Sequence, residues 1–96
     1  MGEKRLGAQR KLNKTNIDRV PKRAGVYVIK SRSGGIQYVG MSVNLRTRLQ
    51  QHLTQENIPN AHTYQTRTCR STKRAANLER DYIQRYKPKY NILKKK

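Results

Sequence analysis

Two short runs rich in β-branched and aromatic residues, Ala24-Gly-Val-Tyr-Val-Ile-Lys30 and Ile36-Gln-Tyr-Val-Gly40, flank the turn-forming stretch Ser31-Arg-Ser-Gly-Gly35. Two strand signals this close around a glycine pair predict a β-hairpin. Alternation places Val26 and Val28 on one face of the first strand, Tyr27 and Ile29 on the other. The period then lengthens. Leu45, Leu49 and Leu53 recur every four residues, which predicts a helix from Val43 or Asn44 that Ile58-Pro59-Asn60 ends. Thr63-Tyr-Gln-Thr-Arg-Thr-Cys69 has the content of a third strand. A second helix, capped by Ser71 or Thr72, runs to about Lys87, where Pro88 stops it. The expected fold is α+β: a small three-stranded antiparallel sheet flanked by helices, in the order β-β-α-β-α. Only 33% of the 96 residues are hydrophobic, with six tyrosines and no Phe or Trp, so the core must be thin and use Tyr as filler.

Twenty-three Lys or Arg against five Asp or Glu give a net charge of +18 at pH 7. That balance points to a polyanion, and nucleic acid is the default partner. Residues 1–24 hold eight of the bases (Lys4, Arg5, Arg10, Lys11, Lys14, Arg19, Lys22, Arg23) and no sustained apolar period. They predict a mobile basic N-terminal arm over residues 1–20, ahead of one ordered domain at 24–92 and a basic tail at 93–96. Lys11, Lys14, Lys22, Arg23, Arg46 and Arg48 are the candidate nucleic-acid contacts. No apolar run is long enough to span a bilayer and no signal-peptide pattern follows Met1, so no membrane is expected. The chain reads as intracellular: cytoplasm or nucleoid, or a nucleus or organelle if eukaryotic. A single cysteine, Cys69, forms no internal disulfide, and no Cys/His spacing suggests zinc. Cys69 and His62 read as structural.

The second helix holds the most informative residue. At 100° per residue Ala75, Leu78, Tyr82, Ile83 and Tyr86 form one apolar stripe, and Glu79 projects from near its middle. A carboxylate on a buried face is costly unless paired or metal-bound. A buried Glu–Arg pair and a metal or acid–base site explain it equally well at this point. On the first helix, Arg48 and His52 stand four residues apart beside the leucine stripe, able to point into one cleft.

These residues form a known pattern. Gly25-Val26-Tyr27, a ten-residue gap and Tyr38-Val39-Gly40 resemble the two signature tripeptides of the GIY-YIG nuclease superfamily. The likeness continues through Asn44-Leu45-Arg46-Thr47-Arg48-Leu49 and Leu78-Glu79-Arg80-Asp81-Tyr82-Ile83. It ends in Tyr86-Lys87-Pro88-Lys89-Tyr90-Asn91, similar to the nuclease domain of the bacterial excinuclease family. Five elements in order at compatible spacing are a specific signal. The resemblance implies a DNA endonuclease dependent on Mg²⁺ (or Mn²⁺), hydrolysing one phosphodiester bond by direct water attack, in DNA repair or recombination. It makes Glu79 the metal ligand and Arg48 the neutraliser of charge on the phosphate. It makes Tyr27 the group that deprotonates or orients the water, with neighbouring cations lowering its ordinary pKa near 10. Tyr38 becomes a second orienting tyrosine, His52 the acceptor of the tyrosine's proton, and Asn91 a holder of the site's geometry.

Met41 departs from the lysine usual in the excinuclease type, which would remove a phosphate or water contact. With no dedicated reading helix, nicking with structure-dependent or low sequence specificity is expected, or recruitment by a protein partner. The contrasting expectation is a non-catalytic basic nucleic-acid-binding module that keeps the fold. Glu79 separates the two, because a pure binder has no use for a buried glutamate in a positive cleft.

Overall fold

The computed structural model describes residues 6–56 and 58–94. The predicted hairpin is β2 (Gly25–Lys30) and β3 (Ile36–Ser42), followed by α2 (Leu45–Gln55), β4 (Thr63–Thr68) and α3 (Thr72–Tyr86). Each of these two helices starts at a side-chain cap. Asn44 accepts from the Thr47 N–H at 3.2 Å and Ser71 from the Arg74 N–H at 3.2 Å, offsetting donors that a first helical turn leaves orphaned. Both helices end on left-handed residues, Glu56 (φ 49°) and Lys87 (φ 47°). A short helix absent from the expected order, α4 (Lys89–Lys94), follows the turn at Lys87 and the buried ring of Pro88.

The sheet has four strands, not three. A two-residue strand, β1 (Arg10–Lys11), and one turn of helix, α1 (Lys14–Ile17), precede the hairpin. Strand order is β1-β4-β2-β3 with every pair antiparallel. The expectation of a mobile arm is therefore corrected for its described part. Arg10 and Lys11 pair with Tyr64 and Thr63, and Gly7 N–H donates to the Thr66 carbonyl at 2.8 Å. Ile17 is fully buried and Val20 nearly so. Five more residues of that arm, 1–5, lie outside the described residues, as do Lys95 and Lys96 of the tail.

Central strand β2 divides two cores, as its alternation predicts. Tyr27 and Ile29 pack with Ile17, Val20, Leu45, Leu49, Ile58 and Tyr64 beneath α1 and α2. On the reverse face Val26 and Val28 meet Val39 of β3 and Ala75, Leu78 and Tyr82 of α3. Met41, the departure from the family pattern, is partly buried against this second core. No described helix is long and apolar enough to cross a membrane.

The N-terminal segment also braces α2. Leu45 N–H donates to the Arg23 carbonyl at 3.0 Å, and Arg46 Nε donates to the Val20 carbonyl at 2.7 Å. Ile17→Ala should consequently lower the unfolding free energy by about 2–4 kcal/mol, measured by urea denaturation. A detachable arm would leave it unchanged.

Candidate active site

The geometry of the site starts with a close approach between two strands. Tyr27 of β2 lies directly opposite Gly40 of β3. Its side chain is fully buried, and a Cβ on residue 40 would run into the Tyr27 phenol, hydroxyl included. Glycine at 40 is thus a steric requirement of the tyrosine at 27. Gly25 has a parallel reason: a Cβ there would strike the Arg67 carbonyl and a methyl of Leu45.

Held this way, the Tyr27 hydroxyl stands 2.7 Å from Nε2 of His52, itself buried on α2. Tyr38, two residues before Gly40 and so on the same sheet face, completes an aromatic trio. Ring centroids are 6.1 Å apart for Tyr27–Tyr38, 5.3 Å for Tyr27–His52 and 5.5 Å for Tyr38–His52. Arg48, one helical turn before His52, lies close enough to act electrostatically on the Tyr27 phenol and also on Tyr38. The neighbouring Tyr27 phenol raises the pKa of Arg48, keeping it a fixed cation. Its Nη1 donates to Gln51 Oε1 at 3.2 Å. Sequence reasoning misses Gln51; its place three residues along the same helix is the available signal.

The electrostatics of Tyr27 correct one expectation. Burial pushes the phenol well above its ordinary pKa; the neighbouring Arg48 opposes this, and the charge of Glu79 adds to the rise. Desolvation outweighs the basic field, so Tyr27 keeps its proton at neutral pH. A protonated phenol at 2.7 Å from His52 Nε2 has a proton to offer the neutral imidazole.

Glu79 is half-buried on α3, and burial raises its pKa while the charge of Arg80 partly opposes the rise. Among the described residues the buried Glu–Arg pair that the helical stripe also allowed does not form. Among the described residues the one ion pair is Lys14–Asp18, at 2.9 Å. Nor do the described residues hold a cluster of three or more His, Cys, Asp or Glu. Any cation here would meet one protein carboxylate, which suits Mg²⁺ because that ion keeps most of its shell as water and phosphate oxygens.

Asn91 acts at one remove. From α4 its Oδ1 accepts from Val39 N–H at 2.6 Å and its Nδ2 donates to Val39 C=O at 2.8 Å. It grips the backbone next to Tyr38 and so positions the site. Of the six candidate nucleic-acid contacts, Lys11, Lys22 and Arg23 are exposed, and Arg48 lies at the exposed rim of the site. Lys14 is engaged with Asp18, and Arg46 spends its Nε on the N-terminal brace.

Comparisons with known proteins agree with this geometry. A family model for the UvrC-like GIY-YIG domain matches residues 23–92. The chain is 37% identical over 87 residues to UvrABC system protein C of Aquifex aeolicus, covering 82% of this chain and 15% of that protein. It is 35% identical over 81 residues to the same protein of Syntrophotalea carbinolica, covering 75% and 13%. The matched segment thus spans only about a seventh of these relatives' length. Among solved structures it is similar to the GIY-YIG N-terminal endonuclease domain of UvrC from Thermotoga maritima, bound to its catalytic magnesium. The TM-score is 0.69 with 28% identity, covering 79% of this chain and 91% of that one. With its signature tyrosines, arginine and glutamate carried on the matched fold, the chain belongs to the GIY-YIG nuclease superfamily, in its UvrC-like branch.

Proposed function

We propose that this protein is a divalent-metal-dependent DNA endonuclease that hydrolyses a phosphodiester bond by direct attack of water. The observation that carries this reading is the 2.7 Å contact between Tyr27 and His52, with the charge of Arg48 acting on the same phenol. A buried phenol that only filled space would not need an imidazole on one side and a guanidinium on the other.

The chemistry follows from those three groups. As water attacks phosphorus, Tyr27 takes a proton from it and passes its own to His52 Nε2, so no free phenolate has to form. The raised pKa of Tyr27 suits this concerted exchange. Arg48 offers a planar set of donors to the phosphate oxygens as charge builds on them. Tyr38 lines the same face and orients the water or a phosphate oxygen. The bond from phosphorus to the 3′ oxygen breaks, and that oxygen leaves with a proton from solvent. Glu79 holds Mg²⁺ or Mn²⁺, which when bound supplies Lewis-acid stabilisation of the phosphate and the leaving oxygen. Asn91 fixes β3, and through it Tyr38 and Gly40.

One such site cuts one strand at a time, so nicking is the expected product. Phosphate contacts carry no sequence information, so substrates chosen by structure or by a protein partner are the expected targets. The similarity to UvrABC system protein C supports a place in DNA repair, in the cytoplasm of a bacterium. The test incubates the protein with supercoiled, single-stranded and branched DNA, with Mg²⁺ or with chelator. Metal-dependent nicking is expected, lost in Glu79→Ala and Arg48→Ala while Glu79→Ala still binds DNA. Equal cleavage by Glu79→Ala and wild type would overturn the mechanism.

If Tyr27 and His52 act as one relay, Tyr27→Phe and His52→Ala should each slow single-turnover cleavage by about 10²–10⁴. The double variant should be no slower than the worse single one, because groups acting as a unit are non-additive. Independent, additive losses would separate the two residues.

Glu79 sets a pH dependence whose sign can be worked out. Its folded-state pKa lies above the ordinary carboxylate value of 4.5. The ionised form therefore costs stability in the metal-free protein above the folded pKa, and that cost vanishes below the unfolded one. In chelator at neutral pH, Glu79→Gln should be slightly more stable than wild type, and the gain should disappear at about pH 4. Mg²⁺ affinity in wild type should begin to fall at a higher pH than an ordinary carboxylate would give. Urea denaturation and titration calorimetry read the two effects.

A further inference from the structure

A second basic concavity opens on the β1–β4 side of the sheet. The N-terminal segment folds over β4 and leaves a cavity of about 220 Å³, walled by Arg10, Asn16, Arg19, Val20, Tyr64 and Thr66 among others. No carboxylate lines it among the described residues. Asp18, the neighbouring acid in sequence, is held by Lys14 at 2.9 Å and by Gln50 at 3.3 Å. Arg10 sits opposite Tyr64 in the β1–β4 pairing, and its charge is felt by the Tyr64 phenol. Neither Arg10 nor Arg19 has a carboxylate partner among the described residues. Two guanidinium groups converging on one concavity without a counter-charge call for an anion, and planar donor sets suit phosphate oxygens. At this volume the cavity is smaller than the roughly 300–1,000 Å³ of small-molecule sites, so it suits one phosphate group better than a whole cofactor.

Thr66 of its wall lies opposite Tyr27 in the β2–β4 pairing, and its two arginines lie on the side away from Tyr38. Strand order puts Arg10 on β1 at one end of the sheet and Tyr38 on β3 at the other. Three interstrand spacings amount to about 14 Å. Arg10, Asn16 and Arg19 also precede the residues that match the family model, 23–92. We propose that this cavity is an anchoring subsite for one backbone phosphate of the DNA, several nucleotides from the scissile bond. The inference rests on the reading of this chain as a DNA endonuclease and names Arg10 and Arg19 as the residues that hold the flanking strand.

The test compares the full chain with Arg10→Ala/Arg19→Ala. Equilibrium DNA binding is followed by fluorescence anisotropy in chelator, over a series of KCl concentrations. One lost phosphate contact should lower the log–log salt slope by about 1 and weaken binding roughly tenfold at moderate salt. Cleavage at saturating DNA in Mg²⁺ should keep its rate, because Arg10 stands on the strand farthest from Tyr38 and both arginines act on binding. Arg10→Lys/Arg19→Lys keeps the charge and should recover most of the slope. Arg32→Ala/Arg70→Ala removes equal charge elsewhere and should change affinity less than the cavity pair. An equal loss would make the effect one of overall charge and overturn the proposal. Amide resonances of Tyr64 and Thr66 should shift with a short oligonucleotide at concentrations where inorganic phosphate leaves them in place. A response to inorganic phosphate alone would make this a free-anion site and overturn the DNA assignment. Wild type that fails to nick but shows the slope difference would sink the nuclease reading and leave the subsite standing. Wild type that nicks with an unchanged slope in the double variant would sink the subsite alone.

Discussion

The packing of a buried tyrosine ring onto a glycine in the neighbouring strand is the constraint on which this site depends. Residue 40 can have no side chain because Tyr27 occupies its place, and Tyr27 has one available position because both flanking strands close around β2. Interiors are packed densely enough that a shift of even one methyl group is felt. The phenol oxygen is therefore fixed by sterics before any hydrogen bond forms. His52 and Arg48 then need only the correct helical register, which the Asn44 cap and the buried Leu45 and Leu49 provide. The arrangement is preorganised, with little left to rearrange when charge moves.

That rigidity also changes what the large positive charge does. A surface rich in Lys and Arg is expected to draw a phenol toward ionisation, yet burial works harder in the opposite direction. Exposed cations act through water and salt, which screen them within about 8–10 Å, whereas removal from water acts on the phenol directly. The net charge serves encounter with a polyanion. Proton handling belongs to the contacts inside: one imidazole, one guanidinium and one nearby carboxylate.

Much of this is legible in the chain. Alternation in β2 assigns each residue to the correct core, and the four-residue leucine spacing fixes the face of α2. The stripe on α3 singles out Glu79 as misplaced for an ordinary helix. The N-terminal segment is not legible, for a physical reason. A two-residue strand and a one-turn helix are too short to display a period, and their apolar neighbours, Ile17 and Val20, acquire meaning only when α2 and β4 are in place. Composition there reports a basic, loosely patterned stretch, and it carries no trace of the backbone pairing with β4. The role of Asn91 is hidden for a related reason: its partner Val39 is 52 residues away in sequence. The resemblance marks it as important, while the bidentate grip on one residue's backbone emerges only in three dimensions.

The same grip has a consequence for self-association. Strand β3 is the last in its sheet, and an outermost strand exposes N–H and C=O groups that can template pairing with another copy. At Val39, in the middle of that strand, both groups are consumed by a single side chain of the same molecule. A neighbouring chain adding there would have to displace Asn91 and lose two short hydrogen bonds before gaining any. A thin-cored, tyrosine-rich protein thus blocks edge-to-edge aggregation at the strand that carries half of its nuclease signature.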